Sequence, residues 1–179
     1  MNTLHSDGTV FKELYTETII KDRIKELAIE IERDLSGSTP VVLAVMKGAV
    51  IFLADLVREI QTIDLEIDYV RVKSYGNEEV SSGTVELIQA PGVSLAGRDV
   101  VIVEDIVDSG QTIHFLRQHV EDAGAKSVRV ATLLFKHECF KFSTPIEYIG
   151  FSIPNNFVIG YGLDHKQLKR NLPSIYSKQ

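Results

Sequence analysis

One stretch constrains the fold more than any other, residues 100–112, with the sequence VVIVEDIVDSGQT. Its first four residues are β-branched and apolar without polar alternation, which is typical of a strand buried on both faces of a helix-covered parallel sheet. Two adjacent acids follow, Glu104 and Asp105, and a third, Asp108, opens a short polar turn. Beyond the turn, apolar residues recur at helical spacing until Gly124. The order strand, turn, helix predicts an α/β fold.

The end of this strand is where a ligand site is expected, because ligands of open α/β sheets bind beyond the carboxyl ends of the strands. A small, hydroxyl-bearing turn that opens a helix presents backbone N–H groups and the positive end of the helix, which suit a phosphate. The neighbouring acids indicate that sugar hydroxyls or a metal ion accompany that phosphate. The alternatives are a solvated turn for the acids and a helix N-cap for Asp108.

Periodicity places the other elements around this unit. The predicted helices cover residues 16–35, 49–60 and 112–123, and the predicted strands cover 41–45, 65–72, 84–89, 99–103, 128–135, 148–153 and 157–161. Residues 73–83 form a polar loop that is too long for a tight hairpin. The alternation predicts a mainly parallel sheet flanked by helices, in a single domain over residues 1–179 with its core at about 16–150. The N-terminal residues and those after 151 stand outside the alternation and could fold together as a cap over the strand ends.

Composition and charge exclude several classes of protein. A net charge of −6 and a pI near 5.4 argue against non-specific binding to nucleic acid. The lone Cys139 excludes an internal disulfide and a thiolate zinc site, and predicts a buried structural thiol. The longest apolar stretch, at about 41–56, is too short and too interrupted by charge to span a membrane. Since the N-terminus has no secretory signal pattern, the cytoplasm is the expected location.

Residues 101–112 resemble the phosphoribosyl-diphosphate motif of the type I phosphoribosyltransferases. Further segments agree in order and spacing with the purine branch of that family, the hypoxanthine-guanine phosphoribosyltransferases: MKGA at 46–49, KSYG at 73–76, LFK at 134–136 and FVIGYGLD at 157–164. The resemblance implies the type I fold, with a small hood from the N-terminal residues and about 151–179. It also implies transfer of 5-phosphoribosyl from its diphosphate to hypoxanthine and also guanine, which gives IMP or GMP and pyrophosphate.

The resemblance assigns roles within the strand–turn–helix unit. Glu104 and Asp105 engage the ribose 2′- and 3′-hydroxyls, directly or through Mg²⁺, the implied cofactor. Transfer to a purine must remove a proton from the base, and Asp108 matches the family's catalytic acid/base. The residues that match the 5′-phosphate cradle are Asp108, Ser109, Gly110, Gln111 and Thr112.

Other segments match the remaining substrate contacts. Lys47 and Gly48 lie in the family's pyrophosphate loop, where this chain has Ala49 in place of the usual glycine or serine. Alanine tolerates fewer backbone angles, which leaves the loop's conformation open. Arg170 matches the cation that meets the pyrophosphate. The implied metal residues are Glu104, Asp105 and Asp164.

The family's purine contacts also have counterparts. Lys136 resembles the lysine that donates to the 6-oxo group, which favours 6-oxopurines over adenine, whose 6-amino group is itself a donor. Phe157 would stack on the ring, and Val158 would contact the base mainly through its backbone. The alternative role of Phe157 is packing in the core.

Ser74 and Tyr75 match lid residues of the family, within the polar loop at 73–83. A closing lid would keep water from the electrophilic sugar carbon during transfer. The alternative is a mobile hairpin tip without a catalytic role.

The expected partners are the small-molecule substrates, without nucleic acid or membrane, and a second copy of the chain in a dimer or tetramer. The apolar helix at 49–60 is a candidate contact between copies. Three alternatives stay open at this point: a xanthine- or guanine-preferring transferase, a regulatory protein of the same fold, and a flavodoxin-like phosphoacceptor. The regulator would need a basic face for RNA, which an acidic chain does not indicate.

Overall fold

The computed structural model describes residues 2–6, 8–77 and 80–179, and the side chains of these residues outside 74–77 and 80–84. The helices are α1 (Glu17–Asp34), α2 (Val50–Glu59) and α3 (Gln111–Asp122). The strands are β1 (Thr3–Ser6), β2 (Thr9–Tyr15), β3 (Val41–Met46), β4 (Glu66–Asn77), β5 (Val80–Gln89), β6 (Asp99–Val107), β7 (Ser127–Phe135), β8 (Tyr148–Ser152), β9 (Val158–Ile159) and β10 (Ile175–Lys178).

The main sheet has the strand order β5-β4-β3-β6-β7-β8. Strands β4, β3, β6, β7 and β8 pair in parallel, and β5 pairs with β4 in the antiparallel direction at one edge. The central strands β3 and β6 are buried along almost their whole length, as their continuous apolar runs predict. The predicted fold class, α/β with a mainly parallel sheet, is confirmed.

Helices cover both faces of this sheet. The buried sides of α1 and α2 pack on one face, against the side chains of Val42, Ala44, Val101 and Val103. On the other face, α3 packs against the alternate residues of the same strands. The bounds of all three helices agree with the predicted ones to within a residue. Among the described residues, no helix is both long and apolar enough to cross a membrane.

A second, smaller sheet has the strand order β1-β2-β10-β9 and joins the two ends of the chain. We call this sheet, with the residues 153–174 that lead into and connect its C-terminal strands, the hood. Its pairings are antiparallel, and β10 lies between β2 and β9. Phe11 is the side chain of β2 that is buried in the hood's interior, at 1% exposure. The hood implied by the resemblance is therefore present, although its strands β1, β2 and β10 were not predicted individually.

Three local predictions were wrong. Strand β6 continues to Val107, so Glu104 and Asp105 lie within the strand and not after it. Strands β4 and β5 extend over most of the predicted loop at 73–83, of which residues 78 and 79 lie outside the described part. The thiol of Cys139 is half-buried instead of fully buried. The first two errors share a cause, because polar residues are tolerated in a strand when its pairing partners supply the backbone hydrogen bonds.

Candidate active site

The two adjacent acids of β6 face opposite sides of the main sheet. The side chains of Glu104 and Asp105 are 8% and 9% exposed, and strand alternation directs them apart. Glu104 lines a cavity on the α3 side, whereas Asp105 lines a cavity on the side of α2 and the hood. The expectation that the two acids have different tasks is consistent with this arrangement.

Both acids are costly to ionise in the free protein. Burial raises the pKa of Glu104 well above its ordinary value of 4.5, and the neighbouring Asp105 charge adds to this. Burial likewise raises the pKa of Asp105. The Glu104 Oε2 atom is buried without a hydrogen-bond partner among the described residues. A buried carboxylate oxygen without a partner points to a donor or cation that a ligand supplies.

The turn after β6 encloses the first cavity, of about 110 Å³, lined by Glu104 and residues 106–113. Gly110 has φ of +83°, and a Cβ there would collide with the Phe140 ring, so glycine is required for this turn. Gly110 is also the N-cap of α3, so the predicted alternative of Asp108 as the cap is wrong. Since the first amides of a helix have no partner within the helix, the cavity suits an anion.

The turn after β3 lies against both Asp105 and the hood. The peptide bond between Met46 and Lys47 is cis. A Cβ on Gly48 would overlap the Asp105 carboxylate, and a Cβ on Gly162 of the hood would overlap the Gly48 carbonyl oxygen. The two glycines therefore allow three segments to meet at this point.

Ala49, which stands where the family that this chain resembles usually has glycine or serine, has φ of −71° and ψ of −5°. These angles lie in the right-handed helical region, which alanine adopts readily. Ala49 is also fully buried at the start of α2. The replacement of glycine or serine is thus compatible with the turn.

The second cavity, of about 270 Å³, lies between the main sheet and the hood. Lys136, which follows β7, is 8% exposed, and its Nζ lies 2.7 Å from Asp108 Oδ2 and 3.2 Å from Asn155 Oδ1. The ring of Phe157 is 47% exposed, whereas Val158 is 5% exposed. The full lining of the cavity is Asp105, Ile106, Asp108, Lys136, Phe157, Val158, Leu163 and Asp164.

Asp164 and Arg170 of the hood pair with each other. Arg170 lies 2.6 Å from Asp164 Oδ1 and also donates to the Gly162 carbonyl over 2.7 Å. The other carboxylate oxygen of Asp164 accepts from the Gln167 backbone N–H at 2.7 Å. The Lys47 ammonium lies 3.4 Å from the Gln167 side-chain oxygen, so both predicted pyrophosphate cations face the same hood loop.

The predicted lid residues are described only in part. Ser74 and Tyr75 belong to β4, but their side chains lie outside the described ones. Sequence reasoning did not find Asn155 or Gln167, because neither belongs to a matched motif. The turn signature Pro-Asn-Asn at 154–156 was the one available signal for Asn155.

The acids fit a hard divalent cation without forming its complete coordination shell. Among the described residues, no three or more His, Cys, Asp or Glu side chains converge on one point. Mg²⁺ usually takes one or two carboxylates together with waters and substrate phosphates, so a single acid of β6 in either cavity is sufficient. The unpartnered oxygen of Glu104 agrees with this, whereas both oxygens of Asp164 already accept from the hood.

The two cavities share Ile106 and Asp108 in their linings. A ligand could therefore place an anionic group at the helix start and a flat, apolar ring against Phe157, with the acids of β6 between them. Phosphate, sugar and base follow each other in this order in a nucleoside monophosphate.

Comparisons with known proteins agree with this geometry. The family model of the phosphoribosyl transferase domain matches residues 11–166. The hypoxanthine-guanine phosphoribosyltransferase of Bacillus subtilis (strain 168) is 42% identical over 164 residues, which cover 92% of this chain and 91% of that protein. The bifunctional protein TilS/HprT of Listeria innocua is 43% identical over 97% of this chain, which spans only 26% of that relative. A crystal structure of a Bacillus anthracis hypoxanthine-guanine phosphoribosyltransferase superimposes with a TM-score of 0.88 at 43% identity, covering 93% of this chain and 97% of that one.

Proposed function

The chain belongs to the phosphoribosyl transferase domain family, and from this premise we propose that it is a hypoxanthine-guanine phosphoribosyltransferase of purine salvage. It transfers 5-phosphoribosyl from 5-phospho-α-D-ribose 1-diphosphate to hypoxanthine or guanine. The observation that carries the proposal is the shared wall of the two cavities, where Asp108 lies beside both the anion site and the Lys136 ammonium.

The first cavity binds the 5′-phosphate in this proposal. Its backbone N–H groups come from the start of α3, and Ser109 and Thr112 add hydroxyl donors. The remaining cradle residues are Asp108, Gly110 and Gln111. The ribose hydroxyls then lie near Glu104 and Asp105, which accept from them.

Asp108 removes the proton of the purine as the new bond forms. The N9 atom of the base attacks C1′, the bond from C1′ to the pyrophosphate oxygen breaks, and the proton of the base passes to the Asp108 carboxylate. In the free site this carboxylate is paired with Lys136 and half of its side chain is exposed, so the base can reach it.

Lys136 selects 6-oxopurines because an ammonium donates hydrogen bonds and does not accept them. The 6-oxo group of hypoxanthine or guanine accepts from it, whereas the 6-amino group of adenine would leave the buried ammonium without an acceptor. Phe157 supplies a partly exposed ring on which the base stacks, and Val158 contacts it through its backbone.

The pyrophosphate lies by Lys47 and Gly48, opposite the hood. Arg170 is a second cation on this side, and its pairing with Asp164 holds it near the turn. Mg²⁺, when bound, would compensate the negative charge of the leaving pyrophosphate. Asp105 and Asp164, which line the same cavity, would hold it there, and Glu104 would hold an ion in the other cavity. The role of Ser74 and Tyr75 in a lid stays a prediction, as does the cytoplasmic location.

The proposal is tested by an assay with each base. Phosphoribosyl diphosphate, Mg²⁺ and one of hypoxanthine, guanine, xanthine or adenine are incubated with the protein, and nucleotide formation is followed by chromatography. We expect IMP and GMP. If XMP formed fastest, the xanthine-preferring alternative would replace the proposal, and no nucleotide with any base would refute it.

The same proposal includes a homo-oligomer that forms through α2 and the adjoining edge of the main sheet. Exposed apolar side chains gather on this face: Val50 at 40%, Ile67 at 50%, Tyr69 at 45% and Ile88 at 49% exposure. Ile67 and Tyr69 lie beside Val42 and Ala44, which share the face that α2 covers. An apolar patch of this kind is typical of an interface. Light scattering after size exclusion should give a dimer or tetramer, and Ile67→Glu should shift it toward the monomer.

A further inference from the structure

Asn155 contacts Lys136 from the turn of the hood that leads to Phe157. Its amide oxygen lies 3.2 Å from Lys136 Nζ, and the Asp108 carboxylate lies 2.7 Å from the same nitrogen. Because the ammonium can only donate, the amide must direct its oxygen, and not its NH₂ group, toward Lys136. Lys136 is buried, so each hydrogen bond that it makes strongly influences the position of its ammonium group.

The number of donors on Lys136 leaves one N–H for a ligand. A lysine ammonium has three N–H groups in a tetrahedral arrangement about Nζ. Two of them are directed at Asp108 and Asn155, and fixing two directions fixes the third. The ammonium lines the second cavity together with Phe157, so the ligand there can receive the third N–H.

We propose that Asn155 is a positioning residue that orients the Lys136 ammonium so that its third N–H meets the 6-oxo group of the purine. This inference rests on the proposed function, because it names the same base and the same site. It adds a residue that lies outside every matched motif of the chain.

Asp108 alone cannot hold this orientation throughout the reaction. As the proton of the base passes to its carboxylate, Asp108 loses its negative charge, and its attraction for Lys136 weakens. Asn155 is neutral, so its hydrogen bond to Lys136 is unaffected by that proton transfer. The ammonium therefore keeps one fixed partner while the other changes its charge.

The test compares Asn155→Ala with Asn155→Asp in the full-length protein. Asn155→Ala removes the acceptor, and we expect kcat/KM for hypoxanthine and guanine to fall roughly tenfold while the KM for phosphoribosyl diphosphate stays unchanged. Asn155→Asp keeps an acceptor oxygen in the same place, so it should retain activity within about twofold of the original. The matched control is Asn156→Ala, because Asn156 is exposed like Asn155, whereas the hydrogen bond to Lys136 is made by Asn155; this variant should leave both constants unchanged.

A double-mutant cycle with Lys136→Met separates positioning from a general effect on the hood. If Asn155 acts through Lys136, Asn155→Ala should cost almost nothing further in the Lys136→Met background. Equal costs in both backgrounds, or a rise in the KM of both substrates together, would overturn the proposal. So would an Asn155→Ala variant with the original kcat/KM for hypoxanthine. If the unmodified protein formed neither IMP nor GMP, the proposed function itself would fail, and the two failures are thus distinguishable.

Discussion

The two walls of the candidate site are built in different ways. The wall from the main sheet is one continuous run, residues 104–112, in which the end of β6, the turn and the start of α3 follow each other directly. The hood wall is assembled from residues 155–170, which are held in place by β10 pairing with β2 from the other end of the chain. The geometry of the main-sheet wall is determined by residues that are adjacent in sequence. The geometry of the hood wall is determined by contacts between residues that are distant in sequence.

This difference corresponds to a division of labour in the proposed reaction. The main-sheet wall contains the groups that contact phosphate, sugar and the transferred proton. The hood wall contains the groups that contact the purine ring and that orient the cationic side chains around the site. Substitutions in the first wall should therefore reduce turnover, whereas substitutions in the second should change affinity or local stability.

The largest effect is expected at Asp108 in the main-sheet wall. Asp108→Asn keeps the shape of the side chain and removes its ability to accept a proton, so kcat should fall roughly 10²–10⁴-fold. The KM values should change little, since the amide can still contact Lys136. Steady-state assays with hypoxanthine test this, with Glu138→Gln as the control at a carboxylate whose side chain is 61% exposed. Near-normal turnover would remove Asp108 from the mechanism.

Lys136 lies between the two walls, because it follows β7 and is bonded to both Asp108 and Asn155. Lys136→Met removes the ammonium group but keeps an unbranched side chain that is one atom shorter. The loss of one charge-assisted hydrogen bond to the base should reduce kcat/KM for hypoxanthine about ten- to a hundredfold. The KM for phosphoribosyl diphosphate, measured at saturating base, should stay the same. A loss of diphosphate affinity instead would place Lys136 in the other half of the site.

The difference between the main-sheet wall and the hood wall also explains which parts of the molecule could be predicted from the sequence. The four β-branched residues before Glu104 determine a buried strand, and the turn after Val107 determines a helix start, so most of the main-sheet wall follows from local sequence. The end of β6 does not, because pairing with β7 extends the strand through Glu104 and Asp105 to Val107. The contact of Asn155 with Lys136 depends on β8 leaving the sheet beside the end of β7, where the Ile153 N–H donates to the Phe135 carbonyl oxygen over 2.9 Å, and no periodicity reveals this pairing. The pairing of Arg170 with Asp164 depends on a loop with left-handed residues that are not glycine, such as Lys166 and Lys169. Such residues are held by their surroundings and not by their own preference.

Glu104 allows a test of the main-sheet wall through stability. Since burial raises its pKa in the folded protein, ionised Glu104 opposes folding, and Glu104→Gln should stabilise the ligand-free protein by about 1–2 kcal/mol near pH 7. Below the unfolded value of 4.5 both states hold the proton, so the gain should disappear there and grow as the pH rises above it.

Urea denaturation of both proteins in the presence of a chelator, near neutral pH and near pH 4.5, measures this difference. Activity should fall in the same variant, because the carboxylate then no longer accepts from the sugar. A variant that is less stable at neutral pH would show that the buried carboxylate has a partner that compensates it.

The smallest effects are expected at two tyrosines, each of which connects one region of the molecule to a helix through a hydrogen bond. Tyr161 of the hood donates a hydrogen bond to Asp55 of α2, and Tyr148 at the start of β8 donates to Asp34 of α1 over 3.3 Å. Both bonds have a carboxylate acceptor, but Tyr161 is the one that holds the hood near the turn after β3. Tyr161→Phe should reduce the free energy of unfolding by about 1 kcal/mol, because Asp55 remains partly exposed and near Arg58.

Tyr148→Phe serves as the matched control in the main sheet, and its longer hydrogen bond predicts a smaller loss of unfolding free energy. The two variants should also differ in activity. Because Gly162 follows Tyr161 and packs on Gly48, Tyr161→Phe should raise the KM for phosphoribosyl diphosphate by about twofold, whereas Tyr148→Phe should not. Equal kinetic effects in both variants would show that strand pairing alone positions the hood, as it positions the strands of the main sheet.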